Sequence, residues 1–337
     1  MKFQMLHRPI TNSVATSRSV GVFQKIMNLY AIINPESRVG RTSSRVSDVV
    51  SAFQDSGIDA EVVLTEHGGH ACDLAKKAAE EYSIILAIGG DGTVNEVVRG
   101  ILESGSKTAM GVIPLGTGND FARMVGVKDD LTFSMNQLRT SSPVPVDVGR
   151  VEWTEGGVRK KSAFINALGI GFDGHAAHIA PRYKRYPFQL GYLSAILVAL
   201  TTWKCPRILL TDLELGSEYC YEGGLFFVTV GNARDSGGGY TINPKASITD
   251  GVLDVCLVKE IGRLRALKML PSARTGKHLE QDEVAYWHSA GIHIQSEEGL
   301  PIHTDGEVQS ISANDIHVKI DKKALNVMVP NGMESSI

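Results

Sequence analysis

Residues 84–100, IILAIGGDGTVNEVVRG, constrain the fold of this chain more than any other stretch. An aliphatic run leads into Gly89, Gly90, Asp91, Gly92 and Thr93, and a Val- and Glu-containing segment of helical period follows. That pattern is a buried strand, a tight turn and a helix start. Glycines without a Cβ can take positive φ and let a bulky anion approach the backbone N–H groups. Asp91 needs a different reason, because a carboxylate beside bound phosphate makes sense mainly when a Mg²⁺ or a proton transfer lies between them. A plain glycine-rich connection in an α/β domain is the alternative, so the context has to decide.

The same unit recurs around it. Residues 29–33 read as a short buried strand closed by Asn34-Pro35, followed by an amphipathic helix over about 42–54 with Val46, Val49, Val50 and Phe53 on one face. A strand over 60–65 and a helix over 69–81 come next, and a strand over 110–114 runs into a second glycine turn, LGTGNDFAR. Four alternations of strand and helix predict a parallel sheet wound with helices, whose ligands bind at the carboxyl ends of the strands. Those ends carry Asn34-Pro35, then Thr65 with His67 and Gly68, then 89–93, then 116–120.

From about residue 143 short β-like runs dominate, at 144–151, 162–168, 207–215, 224–231, 251–259, 292–295 and 316–320, with helical patterns at about 188–203 and 263–278. This predicts a mostly antiparallel β-sandwich after the α/β nucleotide-binding domain. A late strand at 325–330 could pair with either part. The expected organisation is an α/β domain over 28–145, a β-rich substrate domain over 146–324 and a returning strand and tail over 325–337. Residues 1–27 carry Lys2, Arg8, Arg18 and Lys25 with many Ser and Thr, and the first acidic residue is Glu36. They read as a disordered extension or the product of an upstream start codon, with a transit peptide as the alternative. A formal net charge of −3 gives no global reason to expect nucleic acid as a partner. The four cysteines are far apart and form no C-x-x-C pair, which fits a reducing compartment better than disulfides or zinc. The longest apolar run, 190–200, is too short to span a bilayer.

Gly169, Gly171 and Gly174 spell G-x-G-x-x-G after a strand, but no Asp or Glu occurs between Asp173 and Asp212 and no βαβ unit follows, so a dinucleotide site is not expected. There is no G-x-x-x-x-G-K-[ST], and His175 and His178 lack a nearby third ligand. The acid-containing turns say more. Asp91, Asp120, Asp147, Asp250 and Asp305 with Glu307 all lie at ends of expected strands. For Asp250 and Asp305 a plain hairpin turn is an equal reading. Together they supply what phosphoryl transfer needs, which is positioning, charge neutralisation by Mg²⁺ and a carboxylate to take a proton.

These residues carry a resemblance. The NPES turn, GGDGTVNEVVRG, PLGTGNDFAR, GNARDSGGGYTINPKASITDGVLDV and HTDGE resemble, in order and spacing, the diacylglycerol kinase catalytic-domain family of soluble bacterial lipid kinases, which includes sphingosine and ceramide kinases. GGDGT alone is weak, since NAD kinases and phosphofructokinases share it, whereas GTGNDFAR and the GGG…DGVLDV block are more specific. The resemblance implies ATP in the cleft between the domains, touching Asn34, Thr65, Gly89, Gly90, Asp91, Gly92, Thr93, Gly116, Thr117, Gly118 and Asn119. It implies Asp91, Asp120 and Asp147 in an aspartate, water and Mg²⁺ network, Asp305 as general base with Glu307 beside it, and Asp250 at a second, structural Mg²⁺. Two departures stand out: Arg38 and Arg41 occupy the first loop where the family usually has glycine and lysine, and Arg99 stands where the family often has Asn.

The implied activity is transfer of the γ-phosphate of ATP to a hydroxyl of a diacylglycerol-like or sphingoid membrane lipid. A kinase of a soluble acceptor, in the style of NAD kinase, and a non-catalytic nucleotide sensor are the rivals. A cytoplasmic protein, peripheral at the inner face of the membrane, is expected, with a homodimer through strand edges of the second domain left open. Between Pro181 and Arg207, Arg182, Lys184, Arg185 and Lys204 flank an apolar centre with no acid, a composition that suits either an interfacial segment or a core helix with a solvated basic flank. Arg263, Arg265, Lys268, Arg274 and Lys277 of the later helical pattern would extend that basic face.

Overall fold

The computed structural model describes residues 28–37, 42–183, 188–214 and 216–337. The expected extension over 1–27 lies outside the described residues, as do Arg38, Arg41, Lys184 and Arg185.

The first part of the chain runs β1 (Leu29–Ile33), α1 (Thr42–Ser56), β2 (Ala60–Leu64), α2 (His70–Ala78), β3 (Ile84–Gly89), α3 (Asp91–Ser104), β4 (Ala109–Pro114), α4 (Asp120–Met124) and α5 (Leu131–Arg139). The strands lie in the order β4-β3-β1-β2 and every pair is parallel. β1, β3 and β4 are buried at every position because helices cover both faces. Alternate side chains go to opposite cores: Tyr30, Ile32, Ile85 and Ala87 pack with α2 and α3, while Ala31, Ile33, Leu86 and Ile88 pack with Val49 and Phe53 of α1 and Met135 and Leu138 of α5. Val50, expected on the inner face of α1, is exposed; it lies only 100° round the helix from Val49 and just misses the apolar stripe. α5 was not legible as an apolar run; Asp130 starts it, its side chain accepting the Phe133 N–H at 2.7 Å.

The second part contains β5 (Ser141–Glu155), β6 (Val158–Phe164), β7 (Ala167–Gly171), α6 (Phe172–Ile179), α7 (Phe188–Thr202), β8 (Arg207–Asp212), β9 (Gly216–Gly231), β10 (Leu253–Lys259), α8 (Arg263–Ala273), β11 (Val284–Ser289), β12 (Gly291–Gln295), β13 (Leu300–Thr304) and β14 (Glu307–Pro330). One run of strands is β11-β10-β9-β7-β13-β14, and a second joins β9, β8, β12, β14, β5 and β6. All these pairs are antiparallel. β9 and β14 take part in both, and side chains from both runs meet in one core around Phe164, Leu168, Leu225, Val255, Ile292 and Val318.

The expected breaks between the parts fall inside strands. Residue 145 lies within β5, and 316–320 and 325–330 belong to the single strand β14, whose end pairs in parallel with β4 through Asn326 and Val327. Lys323 takes a left-handed φ of 52° where the β14–β5 register shifts, so the charged run DKK marks a bend and not an end. The G-x-G-x-x-G spacing serves packing: a Cβ on Gly169 would lie 2.2 Å from His303 Nε2, and one on Gly174 would lie 2.4 Å from the Pro301 carbonyl.

Gly100 marks the closest approach of α2 and α3. A Cβ there would lie 2.3 Å from the Cys72 carbonyl and 2.9 Å from the Lys76 nitrogen, both backbone atoms that cannot step aside cheaply. In an open helix Gly→Ala stabilises by about 1 kcal/mol. Here Gly100→Ala is expected to destabilise, by roughly 1–3 kcal/mol, in a urea titration; a gain in stability would show that the helices are not held this closely.

Candidate active site

The carboxyl ends of β1, β2, β3 and β4 bring the expected nucleotide loops to one edge. Asn34 ends β1: its N–H donates to the Ile88 carbonyl at 3.0 Å and its Nδ2 donates to Thr93 Oγ1 at 3.1 Å. The Thr65 N–H donates to the Ile33 carbonyl at 2.9 Å. Glu96 on α3 then fixes the loop after Thr65, accepting the N–H groups of Gly69 and Ala71 at 2.9 and 3.1 Å.

The two glycine turns pack on each other. The Leu115 N–H donates to the Gly89 carbonyl at 2.8 Å, and a Cβ on Gly116 would lie 2.3 Å from the Gly90 Cα. A Cβ on Gly89 would strike Thr93 Oγ1 at 2.4 Å, and one on Gly118 would strike Asp91 Oδ2 at 2.6 Å. Positive φ, expected at Gly89, Gly90 and Gly92, is not why glycine stands there, since none of the three adopts it. The left-handed residue is Asn119, φ 54°, whose Oδ1 accepts the Gly116 N–H at 2.9 Å while its Nδ2 donates to the Gly116 carbonyl at 3.0 Å. Gly92 faces Glu307, a Cβ on it falling 3.3 Å from Oε1, and Thr117 is exposed at the rim. α3 begins at Asp91 with no side-chain cap, its first bond running from the Val94 N–H to the Gly90 carbonyl, so its N-terminal donors face the cleft.

Three carboxylates converge on these turns. Burial, the charge of Asp120 and that of Asp305 push the Asp91 carboxyl up to about 6, against N–H donation from Phe121 and Asp120. Asp120 is buried, ion-paired to Arg123, and accepts the Gly238 N–H at 2.9 Å, which ties α4 to the loop after β9. Asp305, in a left-handed turn of φ 50°, accepts four donors: Asn95 Nδ2 at 2.7 Å, the Ile165 N–H at 2.9 Å, and the N–H groups of Asn166 and Ala167 at 2.8 and 2.9 Å. A carboxylate has about four acceptor sites, so Asp305 is saturated by the protein. Burial drives its pKa upward while these donors oppose the rise. Glu307 differs: among the described residues no hydrogen-bond donor reaches its carboxylate. Burial and then Glu96 push that carboxyl above its ordinary range, opposed by Arg99, which gives the family-atypical arginine a place in the site.

Asp147 and Asp250 fall elsewhere. Both oxygens of Asp147 are engaged by backbone, accepting the Gly251 and Lys323 N–H groups at 2.7 Å each, so it anchors the Asp250 turn and the bend in β14, and it is Asp120 and Asp305 that act on Asp91. The resemblance placed it in the Asp91 network of aspartates, water and Mg²⁺. Asp250 is exposed and accepts the Val252 N–H at 3.1 Å. Sequence reasoning passed over Asn95, Gly238 and the buried His303, whose Nε2 meets Asp173 at 2.9 Å and whose Nδ1 accepts the Gly306 N–H at 3.1 Å.

An apolar cavity of about 760 Å³, counting its open mouth, lies in the second part of the molecule. Ile196 and Leu200 of α7, Phe226 of β9, and Ala266 and Leu270 of α8 line it. Asp173, Ser236 and Gly237 also line it, and these adjoin His303 on one side and Gly238, the partner of Asp120, on the other. Thr229 Oγ1 in its wall is buried with no hydrogen-bond partner among the described residues.

An anion cradle at the edge of a parallel sheet, a carboxylate cluster and an apolar cavity beside them define a phosphotransferase acting on an alcohol group. The model of the diacylglycerol kinase catalytic domain matches residues 28–151, and that of the YegS C-terminal NAD kinase beta sandwich-like domain matches 166–329. A diacylglycerol kinase of Bacillus subtilis (strain 168) is 28% identical over 281 residues, covering 82% of this chain and 88% of that protein. A YegS-like lipid kinase of Klebsiella pneumoniae (strain 342) is 33% identical over 216 residues, 64% of this chain and 69% of that one. A crystal structure of a diacylglycerol kinase from Bacillus anthracis str. Sterne shares the fold, with a TM-score of 0.67 at 21% identity, covering 90% of this chain and 97% of that chain. The chain belongs to the diacylglycerol kinase catalytic-domain family of lipid kinases.

The Asp91 shift carries a test. Its folded-state pKa lies above the unfolded value, so the charged carboxylate weakens the metal-free fold above about pH 6, and the penalty fades as pH falls from about 6 towards 3.8. Asp91→Asn retains an acceptor oxygen for the Phe121 N–H and is expected to raise the stability of metal-free protein at pH 7.5 by roughly 1–3 kcal/mol. The gain should vanish near pH 4, and a constant or opposite effect would contradict the proposed electrostatics.

Proposed function

We propose that the chain phosphorylates a hydroxyl of a membrane lipid, diacylglycerol-like or sphingoid, with ATP as donor and Mg²⁺ as cofactor, at the membrane surface. The observation that carries this reading is the apolar cavity whose wall includes Asp173, which meets His303, and Gly237, next to the Asp120 partner Gly238, a lining that suits an acyl or sphingoid chain near the carboxylates.

Asp91 and Asp120 fit a Mg²⁺: they are hard oxygen donors that repel one another, and Asp91 is pushed up by that neighbour. Bound there, the ion would neutralise charge on the transferring phosphoryl group. The turns at 89–93 and 116–119, with Asn34 and Thr65 behind them, hold the phosphates against the N-terminus of α3. Asp305 positions the site, because its four acceptor sites are filled by protein donors and none is left for the proton of an acceptor hydroxyl. Glu307, with no donor and a raised pKa, takes the proton of the acceptor hydroxyl as its oxygen bonds the γ-phosphorus and ADP leaves. The resemblance implied Asp305 as the general base, with Glu307 beside it.

Two helices that wall the cavity also carry exposed leucines. Leu193 and Leu197 lie one turn apart on α7, and Leu264 and Leu267 on α8, the same two helices that supply cavity walls. Leu264 is 78% exposed, unusual for so apolar a side chain on a helix rich in arginine and lysine. Such a surface suits shallow insertion among lipid headgroups. No described helix is long and apolar enough to cross a membrane. Arg265 does not serve the basic face as expected, since its guanidinium bonds Glu283 at 2.8 and 2.9 Å.

Incubation with γ-labelled ATP, Mg²⁺ and vesicles carrying diacylglycerol, ceramide or sphingosine, beside soluble NAD, is expected to label a lipid; label on NAD or on no acceptor would overturn the reading. Ala273→Phe, which fills the cavity edge, should raise KM for a long-chain lipid by about tenfold or more, the cost of 1–3 kcal/mol of overpacking, while ATP affinity stays unchanged.

A further inference from the structure

On the side of the sandwich formed by β8, β12, β14 and β5, two histidines and an aspartate converge outside the cleft. His293 on β12 and His317 on β14 are direct cross-strand partners, and their rings stack with centroids 3.9 Å apart at 12°. Their neighbours Ile292, Ile294, Ile316 and Val318 are buried in the core, so strand alternation turns both imidazoles outward. Asp315 Oδ1 lies 2.7 Å from His293 Nε2 and 3.4 Å from His317 Nε2.

The backbone is distorted where it delivers this carboxylate. From Asn314 to His317, β14 advances three residues while its partner β5 advances two, from Thr154 to Glu152, so β14 carries a bulge. Asp315 sits in it with a left-handed φ of 45°, a conformation that non-glycine residues seldom adopt. A bulge re-aims a side chain, and here it sends a carboxylate between two imidazoles that a regular strand would only stack. One ligand atom from each of the three residues falls within 4.8 Å of the others.

We propose that His293, Asp315 and His317 form a binding site for a divalent first-row transition ion, with Zn²⁺ the best match, that ties β12 to the bulge of β14. The donor set of two imidazoles and one carboxylate is one that zinc and its neighbours accept, and its open side leaves positions for water. Metal–ligand bonds of about 2.0–2.1 Å at near-tetrahedral angles place neighbouring ligand atoms about 3.4 Å apart. The His317 contact already has that spacing, and the His293 contact needs to open by less than an ångström. A neutral imidazole can carry its proton on Nδ1, which frees Nε2 for the ion. Glu152, across β14 from His317, is engaged by Arg159 at 3.0 Å and is not needed as a ligand. The site is separate from the carboxylates assigned to Mg²⁺, which are hard oxygen donors only.

The test uses the full chain, stripped by a chelator and kept in excess Mg²⁺ so that the cleft is occupied. Calorimetric titration with Zn²⁺ is expected to show saturable binding that His293→Gln and His317→Gln each weaken by at least the roughly 10- to 100-fold that loss of even an outer partner of a metal site brings. Zn²⁺ should also raise the thermal midpoint of the parent protein and not of either variant. Asp315→Asn provides the control for folding, because Asn tolerates the left-handed backbone and removes only the charged ligand; it too should lose affinity. Phosphotransfer measured in Mg²⁺ alone should be unchanged in all three. Zn²⁺ affinity equal to the parent's in the folded variants, or no saturable Zn²⁺ binding by the parent, would overturn the proposal.

Discussion

The carboxylate of Asp305 joins the parts of the molecule that the site needs together. Its four donors come from Asn95 on α3, beside the nucleotide turns, and from three successive N–H groups at the β6–β7 turn. Charge-assisted hydrogen bonds are worth more than neutral ones, and a buried carboxylate without them would be costly. The left-handed turn at Asp305 and the His303 bond to the following N–H fix the direction of the carboxylate. Asp120 makes the second such tie through Gly238. The cleft is therefore closed over by acids that would repel one another without fixed donors and a cation.

Close backbone approach is the complementary constraint. Gly90 and Gly116 bring two strand-to-helix turns into contact, and Gly118 makes room for Asp91. Any side chain at these positions would push the turns apart and carry Asp91 away from Asp120. The glycine signature thus reports turn-against-turn packing as well as access for phosphate, and the open donors of α3 supply the latter.

The order of strands and helices in the first part could be read from the sequence because β1, β3 and β4 are apolar throughout and the turns after them carry glycine or Asn-Pro. The acidic turns, Asp91, Asp120 and Asp305, could be picked out because together they supply the carboxylates that phosphoryl transfer needs, whereas one Asp-Gly alone reads equally as a plain turn. What could not be read depends on partners distant in sequence. Asn95 and Asp305 are 210 residues apart, and Asp147 and Lys323 are 176 apart. Periodicity is silent about such pairs, so the hold of Asp147 on the bend in β14 could not be foreseen. β14 was split because Asp321, Lys322 and Lys323 look like a loop, whereas a bulge carries the strand through them.

The account's central claim is that the two acids of the HTDGE turn differ: Asp305 holds the cleft together and Glu307 exchanges the proton. It is tested most directly by measuring turnover and thermal midpoint together for Glu307→Gln and Asp305→Asn. An amide at 305 would turn an N–H toward backbone donors, so Asp305→Asn should lower both quantities. Glu307→Gln should cut turnover by about 100-fold or more, as loss of a general base does, without lowering the midpoint. Near-normal turnover in Glu307→Gln, or Asp305→Asn losing turnover with full stability, would contradict it.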